Sequence, residues 1–338
     1  MSLPHSKTAL ATAFCVAAYS QLGLAQVAPA TILEIDLENV VQYFQDISDL
    51  SKFATDPNAV PATRLRNFDS MVFIADIVAI NGQPAKGTLS RTARFINLTT
   101  SPNPGQAIAD NFRAATFVGT YDILKSDGSP IGSIMHAGVG PGTAAPGAPL
   151  SITGGNFAIV GGTGAFFGAR GQLGRAVTPQ FIPDRQASMA EDPGNRRRNG
   201  GGRVRYVLQL IPVSRPEFVS TAGGPAVAHS SDFVLVSTSR PAAAGEVLSL
   251  FATGLGPTRP GVDPGKQFPA SPLAIVHSPV EVLVNGKPAE VLAAVGFPGA
   301  VDQYQVNFRV PPDTARGTAT IQIVAAWIAG SEVRIAIQ

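Results

Sequence analysis

The chain has 338 residues, enough for two domains, and its 35 glycines, 28 prolines and 14% charged residues suit strands and turns rather than long helices. A formal net charge of +2 over that length excludes a global electrostatic field for nucleic acid. An all-β chain of two domains is the expectation from composition.

Residues 1–25 read as a secretory signal: Lys7 gives a basic start, Ala9 to Ala18 a short apolar core, and Gly23-Leu24-Ala25 the small residues of a cleavage site. The apolar run is too short to span a bilayer, and no later segment approaches about twenty uninterrupted apolar residues. The expectation is an exported protein, extracellular or periplasmic, without a transmembrane segment. Cys15 lies inside the signal, and Phe14 before it does not fit a lipoprotein cleavage box. Export then leaves a chain without cysteine, which excludes disulfides, thiolate catalysis and Cys-ligated metal.

Between Asn39 and Phe53, Val40, Tyr43, Phe44, Ile47 and Leu50 recur at helical spacing, and Asn39 is able to cap the start, which predicts one short amphipathic helix. Strand-like runs follow at 71–79, 89–98, 112–124, 132–137, 157–160, 166–175 and 203–211. Asn81-Gly82 and Asp127-Gly128 fall between runs as turn signals. A loop rich in Gly, Ala and Pro is expected over 138–149.

Residues 156–173 write two apolar strands around a glycine-dense turn, in which Gly161, Gly162 and Gly164 supply positions where φ is free to be positive. Val-Gly-Gly-Thr-Gly also looks like a dinucleotide-binding loop, but the spacing places Phe167 where the third glycine belongs. Gly168, Gly171, Pro179 and Pro183 follow where a long helix should start.

Ser, Pro, Gly and Ala accumulate near 213–229, which predicts a linker over 213–228 between a first domain over 31–212 and a second over 229–338. Strand-like runs at 232–238, 246–252, 280–284, 289–295, 302–310, 319–327 and 331–337 have the size and spacing of an immunoglobulin-like β-sandwich. Tyr304, Val306, Phe308 and Val310 alternate with Gln305, Asn307 and Arg309, so one face packs inward. Asn285-Gly286 predicts a hairpin between two of these strands.

The words Gly161-Gly162-Thr163-Gly164, Phe166 and Ala169-Arg170-Gly171 resemble the hairpin of the dirigent and allene oxide cyclase superfamily. The resemblance implies an antiparallel eight-stranded β-barrel with an apolar lumen, usually trimeric, that binds a small hydrophobic molecule and steers its cyclisation or coupling without a cofactor. The second half resembles the IPT/TIG-like domains of secreted bacterial proteins through residues 245–258, Val284 to Val291, and Tyr304 to Pro311. That likeness implies a structural or adhesive module.

Asp76 interrupts the apolar run 71–80 and shares a strand face with Ile74 and Val78. It reads either as a lumen carboxylate with a raised pKa, able to act as acid or base, or as a carboxylate hydrogen-bonded to a neighbouring strand. Tyr121 and Asp122 face opposite sides of one strand, and Tyr121, with its ring and hydroxyl, is the better ligand contact. Arg170 is either an anchor for a carboxylate or phenolate or a structural arginine paired with a barrel carboxylate. His136 reads as a base or as a strand-end residue.

His136, His229 and His277 remain after export without metal-ligand spacing, so no metal site is expected. No G-x-S-x-G word nominates a hydrolase nucleophile. Arg196-Arg197-Arg198, with Arg185, Arg203 and Arg205 nearby, reads as a solvated loop or as a contact for an anionic glycan or cell surface; without interleaved aromatics it does not suit nucleic acid. Two functions follow: a secreted protein that binds a small hydrophobic ligand in its barrel, with the sandwich as accessory module, or a cofactor-free isomerase of cyclase type using the same lumen through Asp76, Tyr121 or Arg170.

Overall fold

The computed structural model describes residues 31–46, 68–97, 113–140, 152–211 and 215–338. The proposed signal, 1–25, lies outside them. The fold is all-β: a closed eight-stranded antiparallel barrel and a second sheet system. Among the described residues no helix is long and apolar enough to cross a membrane.

The first half contains β1 (Thr31–Asp46), β2 (Phe68–Ile80), β3 (Gln83–Asn97), β4 (Arg113–Leu124), β5 (Pro130–Gly140), β6 (Ile152–Gly164), β7 (Arg170–Ala176), β8 (Arg185–Ser188) and β9 (Gly202–Ile211). Antiparallel neighbours run β2-β3-β4-β5-β6-β7-β9-β1, and pairing of β1 with β2 closes the ring. Strand β8 is added in parallel to the distal part of β1, at Val41 to Phe44.

The helix expected from Asn39 is corrected: 39–46 continue β1, and 47–53 lie outside the described residues. The helical spacing has a different cause. The strand bulges at Asn39, whose φ is 53°, and the pairings with β2 and β9 both shift there. The bulge resets the alternation, so Leu33, Ile35, Leu37 and then Val40 belong to the barrel core. Val41 and Tyr43 point the other way yet are buried too, beside β8. Apolar residues on both faces of a bulged strand thus mimic a helical period.

Asn81 and Gly82, at φ 50° and 75°, form the two-residue turn between β2 and β3. The glycine motif lies elsewhere than expected. Gly161, Gly162 and Thr163 are within β6, Gly164 ends it at φ 59°, and the turn proper is 165–169, closed by bonds such as Phe166 N to Thr163 O at 3.1 Å. The run expected at 166–175 therefore becomes a strand only from Arg170. Tight approach explains the glycines: a Cβ on Gly162 would strike the Phe166 carbonyl, and one on Gly164 the Ile131 carbonyl.

The second half contains β10 (Glu217–Phe218), β11 (Ser220–Thr221), β12 (Gly224–Pro225), β13 (Val227–His229), β14 (Val247–Thr253), β15 (Thr258–Arg259), β16 (Ile275–Val276), β17 (Val280–Val284), β18 (Lys287–Gly296), β19 (Tyr304–Arg309), β20 (Gly317–Ala325) and β21 (Ile328–Ile337). The path runs β10-β14-β19-β18-β17-β20-β21, with β18 pairing β17 through its first half and β19 through its second. Leu248, Leu250, Val306 and Phe308 share a core with Val282, Ile321, Ile323 and Ile335. The stretch read as linker carries β10 to β13, and β10 and β13 pair with β14. The strand expected at 232–238 is absent: the chain turns at Phe233, φ 59°, and Leu235 makes one bridge to Ala228.

The described residues, from Thr31 to Gln338, belong to one compact unit. The turn between β20 and β21, Ala326 and Trp327 at φ 48° and 62°, packs against the barrel beside the β2–β3 turn. Ala326 and Ile328 belong to the barrel core, Trp327 packs against it, and Trp327 Nε1 donates to Gln83 Oε1 at 3.0 Å. Gln83 in turn donates to Glu281 at 2.7 Å.

Candidate ligand site inside the barrel

The interior polar groups are set by period-2 alternation. On β3, Leu89, Arg91 and Ala93 are buried on the inner face while Ser90 and Thr92 face outward. Opposite Arg91 on β4 is Gly119, where a Cβ would collide with the His136 ring, so this glycine makes room for the pair. His136 comes from β5, Tyr121 from β4 and Tyr206 from β9.

Arg91 is only 4% exposed. Its Nε donates to His136 Nε2 at 3.3 Å and its Nη1 to the Tyr206 hydroxyl at 3.1 Å, while Nη2 has no partner among the described residues. The guanidinium carbon lies 5.1 Å from the ring centres of Phe73 and Phe157, 5.7 Å from Phe117 and 5.0 Å from Tyr206. Each such ring contributes about 0.5 to 2 kcal/mol. That offsets part of the several kcal/mol needed to desolvate a guanidinium, but it supplies no counter-charge.

His136 is fully buried, and burial first, then Arg91, depresses its pKa to about 3. It is therefore neutral at pH 7. Because Nε2 accepts from Arg91, the proton sits on Nδ1, and that N–H has no partner among the described residues. Tyr121, with its ring 5.6 Å from that of His136, also keeps a buried hydroxyl without a partner. Burial pushes its pKa far above the usual phenol value.

Tyr206 differs. Burial acts to raise its pKa, but Arg91 and Arg175 together bring it below the ordinary value. Arg175, on β7, has a counter-ion: its Nη2 lies 2.6 Å from Asp184 Oδ2, which also accepts from Gln42 Nε2 at 2.6 Å. Burial works against the Arg175 charge, and Tyr206 and Asp184 more than restore it. Arg175 is thus compensated by a carboxylate, and among the described residues Arg91 is not.

The residues nominated from sequence separate. Tyr121 is in the interior, as is His136. Of the two readings of Asp76, the structure fits the carboxylate hydrogen-bonded to a neighbouring strand: it is on the outer face of β2, because Phe73, Ala75 and Ile77 take the inner face. Its carboxylate receives Arg196 Nη2 at 2.5 Å, Arg197 Nε at 2.9 Å and Asn39 Nδ2 at 2.9 Å. Burial favours the neutral acid, but hydrogen bonds from Arg197, Arg196 and Asn39 outweigh it and hold the pKa at about 2. Two of the three consecutive arginines are therefore committed to Asp76, and Arg196 also donates to the Asn39 carbonyl at the bulge, at 2.8 Å. Arg170 is exposed at the start of β7, beside the 165–169 turn, where its Nη1 donates to the Ala169 carbonyl at 2.9 Å. It does not reach the interior.

Sequence reasoning missed Arg91, Arg175 and Tyr206. A signal existed for Arg91: it shares its period-2 face with Leu89 and Ala93, a charge placed in an apolar row. No family model matches the chain, and no curated protein does.

Proposed function

We propose that the barrel is a receptor for a small, largely apolar molecule held in its interior. The observation that carries this reading is three buried polar atoms without partners among the described residues, Arg91 Nη2, His136 Nδ1 and Tyr121 Oη, with the rings of Phe73, Phe117 and Phe157 around Arg91. Buried polar groups in folded proteins are ordinarily satisfied, and sites that bind small molecules place a few polar groups among aromatic walls. The resemblance of residues 161–171 to the dirigent and allene oxide cyclase hairpin supports the same reading, and with it export, a homotrimeric barrel and an accessory role for the IPT/TIG-like second half.

A second reading, a cofactor-free isomerase or cyclase in the same interior, is favoured by Tyr206. Two guanidiniums depress its pKa against the effect of burial, and a phenol so placed is suited to exchange a proton with a bound substrate. Native mass spectrometry of the full-length protein tests the binding reading. A mass excess of a small organic molecule that disappears on denaturation supports it; a bare protein mass in every preparation, with no uptake from an aromatic metabolite mixture, overturns it. The same spectrum counts subunits.

A further inference from the structure

We infer that the molecule bound in the barrel is a monoanion, an acid whose carboxylate or phenolate lies against Arg91 and whose flat apolar body lies among the surrounding rings. This rests on the small-molecule reading above and adds the charge class. Arg91 and Arg175, which both lie against the Tyr206 ring, differ in one respect: Arg175 pairs with the Asp184 carboxylate, whereas Arg91 meets no carboxylate among the described residues, only neutral His136, the Tyr206 hydroxyl and aromatic faces. With His136 neutral, Arg91 is a buried guanidinium without a carboxylate partner among the described residues. Arg91 Nη2, without a partner among the described residues, is complementary to an oxyanion. Arg91 Nη2 and the Nδ1–H of His136 are donors that cannot accept, and the Tyr121 hydroxyl is able to donate. A neutral ligand would leave the charge unanswered, and a dianion would exceed it. The unpartnered Nη2 of the guanidinium is suited to donate to a carboxylate or phenolate oxygen.

The test compares two probes of the same shape, naphthalene-2-carboxylate and naphthalene-2-carboxamide, by calorimetric titration of the full chain at pH 7. The carboxylate is expected to bind at least about tenfold more tightly, and Arg91→Met to reduce that preference below about twofold. Arg91→Gln, which keeps hydrogen-bond donors but not the charge, is expected to lose the preference too and serves if the Met variant does not fold. Equal affinity of the two probes for the unaltered chain overturns the charge assignment and leaves small-molecule binding standing. Failure of both probes, together with a bare mass in the native spectra, overturns both.

Discussion

Arg91 and His136 are joined through Nε and Nε2 at 3.3 Å, and this one contact fixes the tautomer of the buried imidazole. A guanidinium cannot accept, so the imidazole nitrogen facing it must, and the imidazole proton is driven to the other side of the ring. The pair therefore carries the charge of Arg91 alone, together with a donor from each partner that no described residue answers.

The ligand-free protein is expected to tolerate loss of that charge. Arg91→Met removes a buried cation without a counter-ion, and comparable replacements of buried ionic groups by apolar ones are neutral or stabilising by about 1 to 4 kcal/mol. Denaturant unfolding should show Arg91→Met at least as stable as the unaltered chain. A loss of more than about 2 kcal/mol would assign Arg91 a structural role instead.

Asp76 should govern acid stability. Its folded pKa, about 2, is below the unfolded value of 3.8, so its contribution is fully present above the unfolded value and is lost as pH falls through the folded one. The shift corresponds to about 2 kcal/mol. Stability measured across this window is expected to drop as the pH is lowered, and Asp76→Asn to remove much of that slope. At pH 7, Asp76→Ala should cost about 3 kcal/mol by leaving Arg196 buried without its anion.

Gly164 and Gly82 make a matched comparison, both at positive φ, 59° and 75°. Alanine at Gly82 meets nothing within 4 Å and should cost about 1 kcal/mol for the backbone conformation alone. Valine at Gly164 adds collision with the Ile131 carbonyl and is expected to cost well over about 2 kcal/mol, read as a fall in melting temperature. Similar losses for the two would mean that the close approach does not matter.

The β20–β21 turn should couple the two halves in unfolding. Ile328 is buried in the barrel core although it belongs to the second sheet, and Ile328→Ala is expected to cost about 2 to 4 kcal/mol. Calorimetry should show one transition for the unaltered chain. Ala326→Arg, which places a long charged side chain in that core, is expected to split it into two. A single transition retained in the Arg variant would show that the halves are coupled elsewhere.

Much of the β architecture was legible because its causes are local. Alternation of apolar residues located the runs that became β4, β9, β14 and β19, and Asn81-Gly82 and Asn285-Gly286 turned where they stood, since asparagine and glycine accept the positive φ of a two-residue hairpin. Alternation also placed Tyr121 and Asp122 on opposite faces, and Tyr121 is indeed inward and Asp122 exposed.

What alternation does not say is which face is inside, or what lies across from it. Asp76 shares a face with Ile74 and Val78, yet that face is the outer one, made apolar enough to mislead because the chain carrying Arg196 and Arg197 folds back over it. The bulge at Asn39 reversed the facing of a strand in mid-course, and its partners, Asp76 and Arg196, are distant in sequence. Likewise, the composition of β3 announces a charge in an apolar row. Only the closed ring of strands decides that it faces a histidine, two tyrosines and three phenylalanines, because contacts across a barrel depend on register between strands that share no local signal.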